Sequence, residues 1–161
     1  TVTSTAVGAK TISAIAAGVS ITQTQSLTVT AAAVSASASS LGAGTATITA
    51  GSGTSLITVT ARDQFNNPVP NAVVVFNSTG SNNSFTSPSG NTDANGVATV
   101  TFSSTTAEAK TISATVAGTG VTQTAAVTVT PAAAAASTTE INVSAASVSA
   151  DVGTATITVQ A

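Results

Sequence analysis

A segment of thirty residues occurs twice in this chain, at a spacing of 100 residues. Residues 1–30 and 101–130 align without a gap, and 17 of the 30 positions are identical. The same offset pairs Gly53–Ala61 with Gly153–Ala161. One register kept over this length indicates an internal duplication, and the repeating unit is long enough to be a whole domain.

The 100-residue period divides the chain into three parts. Residues 1–30 are expected to end one repeat, residues 31–130 to form a complete repeat, and residues 131–161 to begin a third. A unit of this length fits one immunoglobulin-like β-sandwich. The two end parts cover only the first 61 positions of the period, so they do not complement each other into a second sandwich. We therefore expect this sequence to belong to a longer polypeptide.

Alternating apolar and polar residues predict the strands of the complete repeat. One face is predicted to carry Ile57, Val59 and Ala61. The other inward positions are predicted to be Ala98, Val100, Phe102, Ile112, Ala114, Val116, Gln123, Ala125, Val127 and Val129. Six or seven short strands at regular spacing predict an all-β sandwich with Greek-key links.

Three further segments have less regular patterns. The apolar run Ala72–Phe76 predicts a strand that is covered on both faces. Asn77–Asn91 predicts a long loop or a poorly regular strand, because Ser, Asn and Gly dominate it. The alanine-rich segments Ala31–Ser40 and Pro131–Ser137 fall at the same phase between repeats, and we interpret them as linkers running into an edge strand rather than as helices.

Composition excludes several classes of function. Charged residues make up 5% of the chain, the net charge is −2, and the cations are Lys10, Arg62 and Lys110. Such a chain has no basic cluster for nucleic acid. Thr and Ser interrupt every apolar stretch before the roughly 18–20 residues that a membrane span requires. The absence of Cys excludes disulfides and thiolate metal sites.

Candidates for catalysis are few, because the chain has no His, Cys or Tyr. Within the complete repeat only Asp63 and Asp93 could form a carboxylate pair on facing elements. Both are predicted to lie in turns, where Asp accepts hydrogen bonds from nearby backbone amides. We therefore predict that the protein is not an enzyme and needs no cofactor.

One segment has part of the spacing of a calcium loop. Asn91, Asp93, Asn95 and Gly96 occupy its first, third, fifth and sixth positions. The position that would supply a bidentate Glu is Phe102, and the loop has a single negative charge. Asn91, Asp93 and Asn95 are thus a weak calcium candidate, with further ligands available only from residues such as Asp63 or Asp151.

All four aromatic residues are phenylalanines. Phe76 and Phe102 are predicted to anchor a core of otherwise small side chains. Phe65 and Phe85 are predicted to lie in loops, covering the end of the sandwich or contacting a neighbouring domain.

Two motifs resemble a known family. Ile57–Val74 contains a strand, the turn sequence DQFNNPVPNA and a second strand, and Thr92–Val100 reads TDANGVATV. Both resemble the bacterial immunoglobulin-like group 1 domains, the repeats of the invasin and intimin adhesins. The resemblance implies a rigid rod of tandem domains, on a bacterial surface or in a secreted fibre, that carries a binding tip outward. Only turn residues match, so no functional residue is carried over.

These observations leave three hypotheses. The first is a structural stalk or spacer of a bacterial cell-surface adhesin or secreted fibre, whose partners are the neighbouring repeats of the same chain. The second is a self-assembling subunit of an extracellular filament or surface layer, with other copies contacting its edge strands or the segment Asn77–Asn91. The third is a module that binds carbohydrate or protein. All three imply an extracellular or cell-surface location.

Overall fold

The computed structural model describes residues 1–135 and 139–160, and every regular element in them is a β-strand. The chain divides into two compact units, Thr1–Thr130 and Pro131–Ala161. Among the described residues, no helix has the length and apolar character needed to cross a bilayer. The end of the predicted linker Pro131–Ser137 lies outside the described residues.

The first unit contains fourteen strands. Its N-terminal part consists of β1 (Gly8–Ile12), β2 (Ile15–Ala16), β3 (Val19–Ser20) and β4 (Gln25–Val29). The rest of the unit consists of β5 (Ser40–Ala43), β6 (Thr47–Thr49), β7 (Ser55–Thr60), β8 (Val73–Ser78), β9 (Asn83–Phe85), β10 (Ser89–Asn91), β11 (Val97–Ser104), β12 (Ala109–Val116), β13 (Thr119–Gly120) and β14 (Ala125–Thr130). The second unit contains β15 (Glu140–Val143) and β16 (Ile157–Gln160).

Strands β5 to β14 form the predicted sandwich. One sheet has the strand order β5-β7-β11-β9, and the other has the order β10-β8-β12-β14-β6, with β13 paired to β12. All pairs are antiparallel except β14 with β6, which are parallel. The strand order is non-sequential in both sheets, so the chain crosses repeatedly between them, as in an immunoglobulin-like fold.

The core lies between the two sheets and follows the predicted alternation. The inward residues of β7, β11, β12 and β14 are all buried, with exposures of 8% or less. Small β-branched residues dominate these positions because they suit a pleated, half-buried surface. The fold class and the inward faces of these strands are therefore confirmed, but Gln123, predicted in the same alternation as Ala125, precedes β14 and is exposed.

The prediction that Ala72–Phe76 is covered on both faces is wrong. Val74 and Phe76 are buried, but Val73 and Val75 are 53% and 45% exposed. Strand β8 has ordinary alternation, and its outward positions are also valine. Val favours a strand through its stiff side chain even where it stays in water, so an unbroken apolar run does not distinguish one covered face from two.

The linker between residues 30 and 40 is not helical, as predicted. Val34 forms a bridge to Asp63, and β5 begins at Ser40. The segment Asn77–Asn91 contains the short strands β9 and β10, which agrees with a poorly regular strand. The two short strands complete one edge of each sheet.

Strand pairing in the end parts repeats the pairing in the complete repeat at the same 100-residue offset. Lys10 faces Leu27 in the β1–β4 pair, and Lys110 faces Val127 in the β12–β14 pair. Each register continues through the neighbouring pairs of its hairpin. In the second unit, Ile141 faces Val159 as Leu41 faces Val59 in the β5–β7 pair. Each of these two strand pairs therefore has a counterpart in the sandwich at an offset of 100 residues.

Candidate functional site

The turn around Asp93 contains the residues of the weak calcium candidate. Asp93 Oδ1 accepts the backbone amides of Asn95 at 2.9 Å and Val97 at 2.8 Å. Gly96 has a φ of 76°, a conformation in which glycine is not strained. One carboxylate oxygen is thus already used to close the turn, as predicted for an Asp at this position.

The other two residues of that candidate have different surroundings. Asn91 belongs to β10 and lines a surface cleft together with Asp93, whereas Asn95 is not part of the cleft lining. No group of three or more His, Cys, Asp or Glu side chains occurs among residues 1–135 and 139–160. Calcium binding at Asn91, Asp93 and Asn95 stays a prediction.

A second turn with the same local design surrounds Asp63. Asp63 Oδ1 accepts the backbone amides of Phe65 and Asn67, each at 2.9 Å. Unlike Asp93, Asp63 is only 1% exposed, and its Oδ2 is also occupied. That oxygen accepts the Asn67 side-chain amide at 2.9 Å and the backbone amide of Ala32, in the linker, at 3.0 Å.

The hydrogen bonds determine how Asp63 titrates. Burial of the carboxyl group raises its pKa, because a charged group loses hydration. The Asn67 side chain and the backbone amides of Ala32, Asn67 and Phe65 together outweigh burial and lower the pKa from 3.8 to about 2. Asp63 is therefore a structural carboxylate that stays ionised under ordinary conditions.

Asn67 extends this network to the N-terminal part of the chain. Its side-chain amide donates to the backbone carbonyl of Thr5 at 2.7 Å, and its Oδ1 accepts the backbone amide of Val7 at 3.3 Å. The sequence pattern predicts Asn67 only as a turn residue, and it does not predict this contact. The one available signal was the second Asn in the motif NNP, which a turn alone does not require.

An ion pair between a buried lysine and a partly exposed glutamate lies in the sandwich. Lys110 is 1% exposed on the inner face of β12, where its Nζ contacts the Glu108 carboxylate and donates to the carbonyl of Ser81 at 2.7 Å. The Ser81 amide donates to Glu108 at 2.9 Å. Hydrogen bonding to Lys110 and then to Ser81 lowers the pKa of Glu108, against the opposing effect of burial. The pair thus links Ser81, which lies between β8 and β9, to the beginning of β12.

The burial of Lys110 was not predicted from the sequence. A signal was present, because Lys110 has the same parity along β12 as the inward residues Ile112, Ala114 and Val116. A lysine is rarely buried without a partner, and Glu108 supplies that partner from the same face. Period-two alternation applied to every residue type would have placed Lys110 inside.

Phe85 is stacked on Phe76 and packs against Phe102 at a tilted angle. Phe85 lies 6.3 Å from Phe76 and 5.2 Å from Phe102, measured between ring centroids. The core positions of Phe76 and Phe102 were predicted, but the loop position of Phe85 was wrong: it ends β9 and packs against the core. Phe65 is 49% exposed. The aromatic residues therefore form a core cluster and not an open stacking surface.

Comparison with known proteins identifies one matching family model. Residues 38–131 match the bacterial Ig-like domain (group 1). No curated protein matches the chain in sequence. The matched residues correspond closely to the sandwich β5–β14.

Solved structures with a similar fold include three adhesins. FdeC of Escherichia coli has a TM-score of 0.67 at 17% identity, over 87% of this chain and 46% of its own. Invasin, a bacterial integrin-binding protein, has a TM-score of 0.61 at 25% identity, over 89% of this chain and 29% of its own. The adhesin InvE of Yersinia pseudotuberculosis has a TM-score of 0.52 at 32% identity, over 68% of this chain and 30% of its own. The chain thus spans less than half the length of each of these structures.

Proposed function

The chain belongs to the bacterial Ig-like domain (group 1) family, and on that premise we propose that it forms structural spacer domains of a bacterial cell-surface adhesin or secreted fibre. Ig-like domains of this adhesin type are non-enzymatic in kind. FdeC, InvE and invasin, which share the fold, support a location outside the cell or on its surface.

The observation that carries the proposal is the repetition of the strand register. The pairs β1–β4 and β12–β14 have the same register at an offset of 100 residues, and so do β15–β16 and β5–β7. This supports assigning residues 1–30, 31–130 and 131–161 to three successive repeats. A string of equal domains without a specialised site is the expected design of a spacer.

The chemistry of the polar groups agrees with this function. Asp63, Asp93, Glu108 and Lys110 each close a turn or hold a loop through hydrogen bonds within the fold. These groups serve the stability of the sandwich. Binding to a receptor is assigned in this proposal to other parts of the longer polypeptide.

The sheet edges favour a spacer over a self-assembling subunit. The edge strands of the sandwich, β5, β6, β9 and β10, are only three or four residues long. Short edges are one of the ways in which β-proteins prevent pairing with other chains. Lateral assembly through strand addition therefore has little support.

Removal of one period from the parent polypeptide tests the proposal. Deleting residues 31–130 joins residue 30 to residue 131 in register, and we expect a shorter rod with an unchanged tip activity. The rod should shorten by at least about 26 Å, because the eight-residue strands β11 and β12 rise about 3.3 Å per residue. Electron microscopy of the purified protein measures the length.

The matched control deletes residues 31–80, which removes half a period. This variant breaks the register, so its junction should misfold and become sensitive to protease. An unchanged rod length after deletion of residues 31–130, or a loss of tip binding by the soluble rod, would contradict the spacer function.

A further inference from the structure

The turn Asp63–Pro68 contacts two segments outside the sandwich. We propose that this turn is the docking surface for the preceding repeat, with Asp63 fixing the linker and Asn67 fixing the backbone of the neighbouring repeat. The proposal deepens the spacer function and rests on its assignment of residues 1–30 to a preceding repeat. Its occupant is seated in the structure, in the same compact unit Thr1–Thr130.

Comparison with Asp93 shows which contacts a turn needs and which are additional. Both aspartates accept two backbone amides on Oδ1, from the residues two and four positions ahead. Only Asp63 uses Oδ2 as well, and one of the two donors to it is the linker amide of Ala32. The contact with the linker is therefore an addition to the ordinary turn.

Asn67 supplies the contact with the neighbouring repeat. Its side chain donates to the carbonyl of Thr5 and accepts from the amide of Val7, two residues further along. A primary amide used in this way imitates the edge of a β-strand, because it offers one donor and one acceptor side by side. Both contacts are to backbone atoms, so the docking surface accepts a neighbour whatever its side chains at these two positions.

Apolar packing around the junction is incomplete. A cleft of about 240 Å³ remains there, lined by Val7 and Val29 on one side and by Pro68 and Pro70 on the other. Apolar contact is non-directional and here leaves a gap, whereas hydrogen bonds require defined distances and angles. The hydrogen bonds of Asp63 and Asn67 are thus the contacts that set the angle between the N-terminal part and the sandwich.

A distance measurement between the two parts tests this role. The chain has no cysteine. Replacing the exposed Ser26 of β4 and the exposed Ser113 of β12 by cysteine therefore provides one spin-label site in each of the two parts. Pulsed electron spin resonance on the 161-residue chain should give a narrow distance distribution. Asn67→Ala should broaden the distribution about twofold, because the links to Thr5 and Val7 are lost.

Two further variants keep the test specific. Asn95→Ala is the matched control, since Asn95 is an exposed Asn in the equivalent Asp93 turn, and its distribution should stay narrow. Asp63→Asn should broaden the distribution, because an amide NH₂ in place of Oδ2 is unable to accept the Ala32 amide. Circular dichroism confirms that each variant retains the sandwich.

The results of the distance measurement test the docking role of the turn independently of the spacer function. A distribution that is already broad in the parent chain, or that stays narrow in Asn67→Ala, would overturn the docking role of the turn. Neither result changes the rod length measured after deletion of residues 31–130, which judges the spacer function by itself.

Discussion

Two charged side chains, Asp63 and Lys110, are almost completely buried, and each has a different kind of partner. Four hydrogen-bond donors surround the Asp63 carboxylate, so its charge is satisfied by neutral amides. Lys110 instead meets the carboxylate of Glu108, whose side chain is 38% exposed. A buried charge is tolerated only when it is paired or fully hydrogen-bonded, and this chain uses both solutions.

Acid should destabilise the protein through Asp63 and Glu108. The pKa of each carboxyl group is lower in the folded chain, from 3.8 to about 2 for Asp63 and from 4.5 for Glu108. Their contribution to stability is therefore complete above about pH 5 and is lost as the pH falls toward 2. Melting temperatures measured between pH 6 and pH 2 should decrease below pH 4.5.

The variant Asp63→Asn provides the control for this pH dependence. It lacks one of the two carboxyl groups whose pKa is lowered by folding, so its melting temperature should fall less steeply with acid than that of the parent. Because the substitution also lowers stability at neutral pH, the slopes are compared and not the absolute values. An equal slope would contradict the role of Asp63.

Replacing Glu108 and replacing Lys110 should lower the melting temperature by different amounts. Glu108→Ala leaves a buried ammonium with the Ser81 carbonyl as its remaining partner, whereas Lys110→Met removes the charge and keeps most of the volume. We expect Glu108→Ala to lower the melting temperature by roughly 5–10 °C and Lys110→Met to lower it less. Calorimetry at pH 7 measures both, and the reverse order would contradict the analysis.

At the scale of the strands, alternation was a reliable guide to the inward faces of β7, β11, β12 and β14. It failed at β8 because Val occupies both inward and outward positions, so the pattern had no contrast. It also failed at β9, because three residues in a segment rich in Ser and Asn are too few to show a period. In a strand that is short, or that has apolar residues on both faces, the sheet that it joins decides which side chains are buried.

The aromatic cluster between the two sheets should dominate the stability of the sandwich. Phe102 is fully buried and its ring packs against Phe85, so Phe102→Ala should lower the free energy of unfolding by about 3–5 kcal/mol. Phe65→Ala is the matched control, because Phe65 is half exposed, and it should change stability by about 0.5 kcal/mol or less. Urea unfolding measures both variants. A similar loss of stability in the two variants would contradict the dominant role of the aromatic cluster.

At the scale of the whole molecule, the 100-residue repeat and the turn Asp63–Pro68 both belong to the proposed spacer function. In the proposed spacer, the period gives the length of each domain, and the turn gives the contact between neighbouring domains through its hydrogen bonds to Ala32 and Thr5. Low charge and small side chains let such domains fold without a specialised site. The proposed spacer would then depend on the angle at each junction as much as on the number of repeats.

The sequence by itself determined the period, the all-β class, the turns at Asp63 and Asp93 and most inward positions, because these features are recorded in residues close together in the chain. Only the tertiary structure decided which face of β8 is exposed, where Phe85 packs, and that Asn67 reaches Thr5 and Val7. These features depend on residues in separate parts of the chain, up to 62 positions apart. Local patterns do not record such pairs, since their geometry exists only once the sheets have formed.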